Sequence, residues 1–566
     1  MTSRFTNSVV AAVLGLAILA PAFGYNADVR ERMMVRNIAF GLPDDSTRPV
    51  VAVDFQPGAG IFNYCEGPVG FGWPLVSAGQ HGLPYNVTML DTTGQLLYRS
   101  RIPVWGTWDS VTGVAEPGFE PMFETQNIAS SPVSQKVCIT WVRTDTSPMP
   151  GFYRISTDGG ASWGSTQELV RPAAYGGDTV TSFHVSALYP FFDADDQLHV
   201  LAAVHPVVHD TGFIIPAGIW HWCPDLSPNW TLIHRAGCAP EHLRAPVGYN
   251  ALYADRPSGW YYPDGALIVT WEEFDSANVE TETNLLRADI HAYLMLGSSP
   301  WDSCVVSSPG TNSNRFPFMI QAQDTTYVLF EQDQIAGFSP LGQGPSSDNA
   351  IVVQVVCWDG QWPQPDTIAG TTYDLQSLGP VRRTLCYVPG RGVHALSLWS
   401  VSTSGRTFPD LNTRYNYYDL AYHCWNWIDP DYMQSGINVF PQRTAFGSLD
   451  VNQDSGVAVI SGCYPPPLPP VAVEETPKAR VRTSNATTVV RGVLFLPRGS
   501  DFPVAMNRGL EASLTLLDAT GRRVMVLRPG ANDVRSLAPG VYFVREERAG
   551  SREQPAASVR KVVVTR

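Results

Sequence analysis

The sequence predicts an all-β chain of radially repeated sheets, and three observations predict it. Short apolar runs recur at 136–141, 197–203, 265–271, 326–330, 392–399 and 456–460, a spacing of about 60 to 70 residues that fits one four-stranded unit per repeat. A tryptophan series keeps the same phase: Trp163, Trp230, Trp301, Trp362 and Trp427 each follow a turn-rich segment. Composition agrees, because 48 Gly, 46 Pro and only 16% charged residues suit many short strands and turns and exclude a disordered chain. Two series in one phase describe blades around an axis. By count this is a six-bladed β-propeller, with seven blades as the alternative.

The elements follow in order. Residues 1–24 read as a signal peptide: Arg4, an apolar core over 9–20 too short to anchor in a bilayer, and Ala22-Phe23-Gly24 as a small-x-small cleavage site. No later run is long and apolar enough for a transmembrane helix. The propeller is assigned to 25–463. Its start is the least legible part, with one strand over 48–55, no assignment for the Gly- and aromatic-rich 58–82, and a hairpin over 85–99 turning at 91–94. Blades are expected near 119–170, 181–236, 247–308, 314–368 and 374–433. A last unit, 438–463, holds two strands only, and the 85–101 hairpin is expected to complete it, so that both chain ends close the ring. The seven-blade alternative makes a separate blade from 48–55 with 85–101. Residues 464–475 contain Tyr464-Pro-Pro-Pro-Leu-Pro-Pro470, a stiff linker that cannot continue a sheet. Beyond it, strand–turn–strand 510–526, then 537–545 and 559–566, alternate as a small antiparallel β-sandwich over 476–566.

Ser156-Thr-Asp158-Gly-Gly-Ala-Ser-Trp163 is a hairpin in which glycines supply positive φ, Asp158 takes hydrogen bonds from the turn, and Trp163 folds back as a plug. It resembles the Asp-box (BNR repeat) of sialidase-like β-propellers. Arg101-Ile-Pro103 upstream resembles their Arg-Ile-Pro motif, which implies an arginine for a substrate carboxylate, although Ser100 departs from the family's aromatic residue. In the tail, Leu516-x-Asp518-x-x-Gly521-Arg522-x-Val524, then Leu537-Ala-Pro-Gly540-Val541-Tyr542, then Lys561-Val562-Val563-Val564 resemble, block by block, the type A C-terminal sorting domain of the type IX secretion system. That resemblance implies the secretion translocon as a partner, with Gly540, Val541, Tyr542, Lys561, Val562 and Val563 carrying the match. It also implies export via the periplasm to a secreted or cell-surface location.

The formal charge is −14, unevenly spread: from 471 onward 16 Lys+Arg stand against 9 Asp+Glu, so the tail is basic and the rest strongly acidic. An acidic propeller repels phosphates, which argues against nucleic acid. Of nine cysteines, Cys223, Cys357 and Cys424 occupy equivalent places in different blades and read as small buried hydrophobes; Cys223 with Cys238 is the only pair considered.

Four long second-to-third-strand loops are expected on one face, at 205–218, 272–284, 331–349 and 401–415. They carry Arg143, Asp145, His205, His209, Asp210, Glu272, Glu273, Asp275, Glu331, Asp333, Arg406, Asp410 and Arg414 toward one mouth. One reading is a solvated rim. The favoured functional reading is a glycan or protein ligand bound through His205, His209, Asp210, Glu272, Glu331, Asp333 and Arg414. The alternative is a sialidase-like glycoside hydrolase, with Arg101 and Glu272 or Glu273 as the catalytic candidates. A divalent cation on His205, His209, Asp210 or Glu331 is chemically suitable but lacks a tight ligand spacing; no cofactor is otherwise expected. His184, His199 and His394 sit in apolar strands and read as core histidines.

Overall fold

In the computed structural model the described residues run over 50–463, apart from short loop segments of which 102–111 is the longest, and over the strands of 483–565 with a few residues beside them. The chain divides into two compact units, 1–467 and 468–566.

The first unit is a β-propeller. Five blades are each built from consecutive antiparallel strands. Blade 2 holds Asn127–Ser130, Val137–Val142, Gly151–Ser156 and Gln167–Leu169. Blade 3 holds Val180–Phe192, Leu198–Val208, Ala217–Cys223 and Ser227–Ala236. Blade 4 holds Ala254–Tyr261, Ala266–Val279, Leu286–Leu296 and Ser299–Val305. Blade 5 holds Ser313–Ala322, Thr325–Asp333, Asn349–Val355 and Asp366–Thr371. Blade 6 holds Leu385–Val388, Gly392–Trp399, Asn412–Asp419 and Cys424–Trp425. The six apolar runs of the sequence all fall on second strands, where both faces are covered and alternation is lost.

Two further four-stranded sheets complete the ring, and they correct the six-blade count. Phe71–Ser77, Tyr85–Asp91, Leu96–Arg101 and Thr112–Gly113 form blade 1. Blade 7 pairs Ala445–Val451 and Ala458–Cys463 from the far end of the unit with Val50–Gln56 and Ile61–Glu66. The ring is therefore closed by strands from both ends, but through 50–66 and not through the 85–101 hairpin, which keeps its own sheet. Inner strands touch in sequence around the circle, including blade 7 against blade 1.

Five of the seven inner strands share a break. Their register shifts at 72/75, 183/188, 255/258, 315/318 and 445/448, and Arg256, Phe316 and Phe446 take positive φ there (54°, 57° and 55°). Trp73-Pro74, Arg256-Pro257, Phe316-Pro317 and Phe446-Gly447 are the sequence trace of these bulges, since proline cannot serve the ladder and is tolerated where the ladder is broken.

The Ser156 hairpin closes on itself. Gly160 N–H donates to Ser156 Oγ (2.7 Å), Ser162 N–H and Oγ donate to Asp158 (2.8 and 2.6 Å), and Gly159 and Gly160 take φ of 69° and 88°. Hydrogen bonds from Ser162 and then Ser156 lower the Asp158 carboxyl to about 2. Trp163 packs against the blade 2 core of Trp141 and Phe152. Cys223 and Cys238 are both free, so the one disulfide considered is not made.

The second unit contains a five-stranded sheet in the order Thr483–Arg491, Val559–Thr565, Gly540–Arg548, Ala512–Leu517, Arg523–Leu527, plus a ribbon of Val493–Leu496 with Gly530–Asp533. Its first and last strands pair in parallel, so the all-antiparallel expectation is corrected at that edge. The hairpin expected over 510–526 is present. Residues of two motif blocks face each other, Val541 with Val563 and Tyr542 with Val562, and the Tyr542 hydroxyl donates to the Ala538 carbonyl at 2.8 Å. The signal-peptide segment and the linker lie outside the described residues.

Candidate functional site

Second strands run further than their apolar stretches, and this moves most sequence-assigned site residues out of loops. Ladder pairing continues to Val208, Val279 and Asp333, so the connecting loops shrink to 209–216, 280–285, 334–348 and 400–411. His205, Glu272, Glu273 and Glu331 are strand residues. His209 remains at the surface with φ 48°. Asp210, Arg406 and the side chain of Arg101 lie outside the described residues.

Glu272 is fully buried and held on all sides. Arg315 donates through Nε and Nη2 at 3.0 and 2.9 Å, Arg256 through Nη1, and the Phe316 N–H at 2.9 Å. Burial pulls the carboxyl upward, but the two guanidiniums outweigh it and hold it below the ordinary carboxylate range. A carboxylate so committed has no open face for a substrate, which corrects its assignment as catalyst or ligand contact. Glu273 is likewise tied, to His234 (3.0 Å) and to the Trp271 indole N–H (2.9 Å). His205 is buried with neither ring nitrogen hydrogen-bonded, and burial, then the neighbouring His184, lowers it to about 3. Arg414 lies under the surface over the Trp399 ring (3.7 Å to its centre) and donates to the Ser435 carbonyl (2.7 Å). These are core contacts, and the ligand-binding assignments of His205 and Arg414 are corrected with them. At the rim, Arg143 pairs with Asp145, Asp275 is exposed, and Asp410 accepts from Ser400 Oγ (2.5 Å).

The propeller axis is filled. Asn127 of blade 2 donates to the Leu188 carbonyl (3.2 Å) and, across the ring, to Val381 ahead of blade 6 (3.0 Å). Arg383 reaches back to the Ile128 and Pro190 carbonyls (3.0 and 3.4 Å). Beside this plug Arg256, Glu331, Arg382 and Thr384 line a pocket of about 20 Å³, room for about one water.

The larger opening lies at the second-to-third-strand loop of blade 5, between the third strand of blade 4 and the segment that follows blade 6. A cleft of about 320 Å³ is lined by Arg287, Asn312, Gln332, Gln334, Asp348 and Tyr432, among others. Its shape is fixed from behind. Arg287 donates to the Gln334 carbonyl (3.1 Å) and pairs with Glu280, Gln334 Nε2 donates to the Asp348 carbonyl (2.5 Å), and the Tyr432 hydroxyl donates to that same carbonyl (3.2 Å). The Asp348 side chain is exposed and accepts no hydrogen bond among the described residues. Three amides, a carboxylate and a phenol ring offer paired donors and acceptors, and because Glu280 offsets Arg287 the one charge left uncompensated in the cleft is the Asp348 carboxylate. Charged residues and histidines guided the sequence reading; Gln332 and Gln334 carry no such flag, and only their alternation at a strand end could have marked them.

No protein-family model matches the chain, and no curated protein does. Among solved structures, an α-L-arabinanase of Penicillium chrysogenum complexed with arabinobiose is similar over 63% of this chain and 95% of its own, at 12% identity and a TM-score of 0.35. A fungal lectin of Aleuria aurantia, with a six-bladed β-propeller fold and fucose recognition, is similar over 63% and 96%, at 12% identity and 0.32. A thermostable family-43 glycoside hydrolase is similar over 66% and 95%, at 14% identity and 0.29. Likenesses this distant carry no argument about activity.

Behind the cleft sit three buried carboxyls, Glu331, Asp333 and Asp374. Burial, then one another's charge, raises Glu331 and Asp333 well above the carboxylate range; burial raises Asp374 to about 7. Glu331 lines only the small axial pocket and Asp333 lines neither opening, so burial corrects their assignment as ligand contacts. Among the described residues no group of three or more His, Cys, Asp or Glu side chains is placed to hold a metal ion, and no helix is long and apolar enough to cross a membrane.

Proposed function

We propose that the protein is an exported β-propeller that binds a neutral glycan in the cleft between blades 4, 5 and 6, and that its C-terminal unit is a type IX sorting domain. The observation that carries the first part is the cleft itself. It is open, sugar-sized, and lined by Gln332, Gln334, Asn312 and Asp348 with Tyr432 at its edge. Planar amides and carboxylates take vicinal hydroxyls in pairs, and a phenol ring covers a sugar's C–H face. With Arg287 offset by Glu280, the remaining Asp348 carboxylate favours a neutral ligand over a phosphorylated or sulfated one. The sorting reading is supported by the three motif blocks and by the strand pairing of two of them. The alternative remains a glycoside hydrolase, no longer on Glu272 or Glu273 but with Glu331, the proton-holding carboxyl that lines the axial pocket, as its candidate.

The test uses the purified chain on a glycan array and a panel of chromogenic glycosides, with Gln332→Ala and Asp348→Ala as variants. Neutral-glycan binding weakened at least tenfold by either variant, with folding unchanged, is the expected result. Turnover of a glycoside that survives both variants would move the function to the axis.

A further inference from the structure

We propose that Asp333 and Asp374 form a proton-controlled latch on the loop 334–348, and so set the shape of the cleft that the loop walls. The loop begins and ends in cleft residues, Gln334 and Asp348. It is pinned at three places from beneath. At its two ends Asp333 Oδ1 accepts from the Ile335 N–H (3.1 Å) and from Ser347 Oγ (3.3 Å). In its middle, the short turn Ser339–Leu341 offers the Ser339 N–H to Asp374 Oδ2 at 2.8 Å. Both carboxyls are almost wholly buried, and Glu331, on the same strand as Asp333, is buried with them and leaves Oε2 without a partner.

The Arg315 charge reaches this trio but does not offset its burial. Arg315 is the nearest cation, and its Nε and Nη2 are both given to Glu272. Arg256 also pairs with Glu272, and Arg382 donates Nη1 to the Phe446 carbonyl (2.5 Å). Within the loop itself Asp348 is the only ionisable residue, and it is exposed. On the blade 4 side Glu280 is neutralised by Arg287. Three carboxyls without a free counter-ion stay compact while they hold protons. As they ionise, their repulsion is relieved by water, and water enters by lifting the loop.

The measurement is hydrogen exchange of the 334–348 amides in the full chain, corrected for the intrinsic pH dependence of exchange. It needs no ligand, so its failure is separable from failure of the glycan reading on which the gating role rests. With Asp374 at about 7 when latched and near 3.8 when open, the opening equilibrium rises about tenfold between pH 6 and pH 8.5. Asp374→Asn keeps the acceptor and removes the charge, so it should reduce that rise to threefold or less; Asp333→Asn serves as a second variant. Equal pH dependence in the native chain and both variants, or none in the native chain, would overturn the latch.

Discussion

Replacing Glu272 by alanine should destabilise the propeller without touching an active group. The substitution leaves two buried guanidiniums facing each other, together with the Phe316 N–H. Both arginines are buried among aromatic rings: Arg315 lies 4.9, 5.3 and 5.1 Å from the ring centres of Phe274, Phe316 and Phe338, and Arg256 lies 4.9 Å from that of Phe316. Breaking a buried ion pair by removing one partner costs about 3–5 kcal/mol, which for a unit of this size is roughly 3–6 °C in Tm. The assay is thermal unfolding at fixed scan rate and pH 7, with Glu272→Gln as the intermediate case. A catalytic carboxylate behaves oppositely, because its removal abolishes turnover and leaves stability the same or higher. A Glu272→Ala protein with Tm within 1 °C of the native chain would refute the ion-pair account and reopen the catalytic one.

Three more outcomes are expected. Asp374 has its pKa raised by folding, so the native state binds the extra proton: its contribution is full below about pH 4 and is lost as pH rises to about 7. Asp374→Asn should therefore gain stability relative to the native chain at pH 8 by up to about 4 kcal/mol and by much less at pH 4; an equal gain at both would contradict the linkage. Limited proteolysis of the full chain should cut first at 464–480 and leave a resistant fragment, and first cuts within 119–433 would break the domain plan. Truncation after Ala557 removes the Val559–Thr565 strand, which pairs on both sides, and should strand the protein in the periplasm; equal amounts of native and truncated protein outside the outer membrane would sink the sorting assignment.

The repeat was legible because second strands are buried on both faces and read as unbroken apolar runs such as Val137–Val142. Blade number was harder. Ile61–Glu66 and Phe71–Ser77 lie in the Gly- and aromatic-rich 58–82, where glycines mask the strand period, and this hid both the closing strands and the first strand of blade 1. The site failed for a different reason. Trp271-Glu272-Glu273-Phe274 reads as the end of a strand, whereas pairing runs on to Val279, and a sequence does not say that Arg256 and Arg315 converge on Glu272 from two other strands. Burial turned apparent surface charges into core contacts, and left the open cleft to amides that no charge pattern marks.

Closure of blade 7 sets an order on biosynthesis. Val51 pairs with Glu66 on one side and Gly462 on the other, so the first hairpin of the propeller is made early and waits for the last. Until Ala458–Cys463 leaves the ribosome, Val50–Gln56 keeps one edge unsatisfied, and an unpaired strand edge is a template for another chain. The interval between the two is the translation time of the six intervening blades, tens of seconds at about 5–20 residues per second. A chain of this topology is at its most association-prone while half made, and a binding factor that shields 50–66 in that window would raise yield without altering the finished molecule.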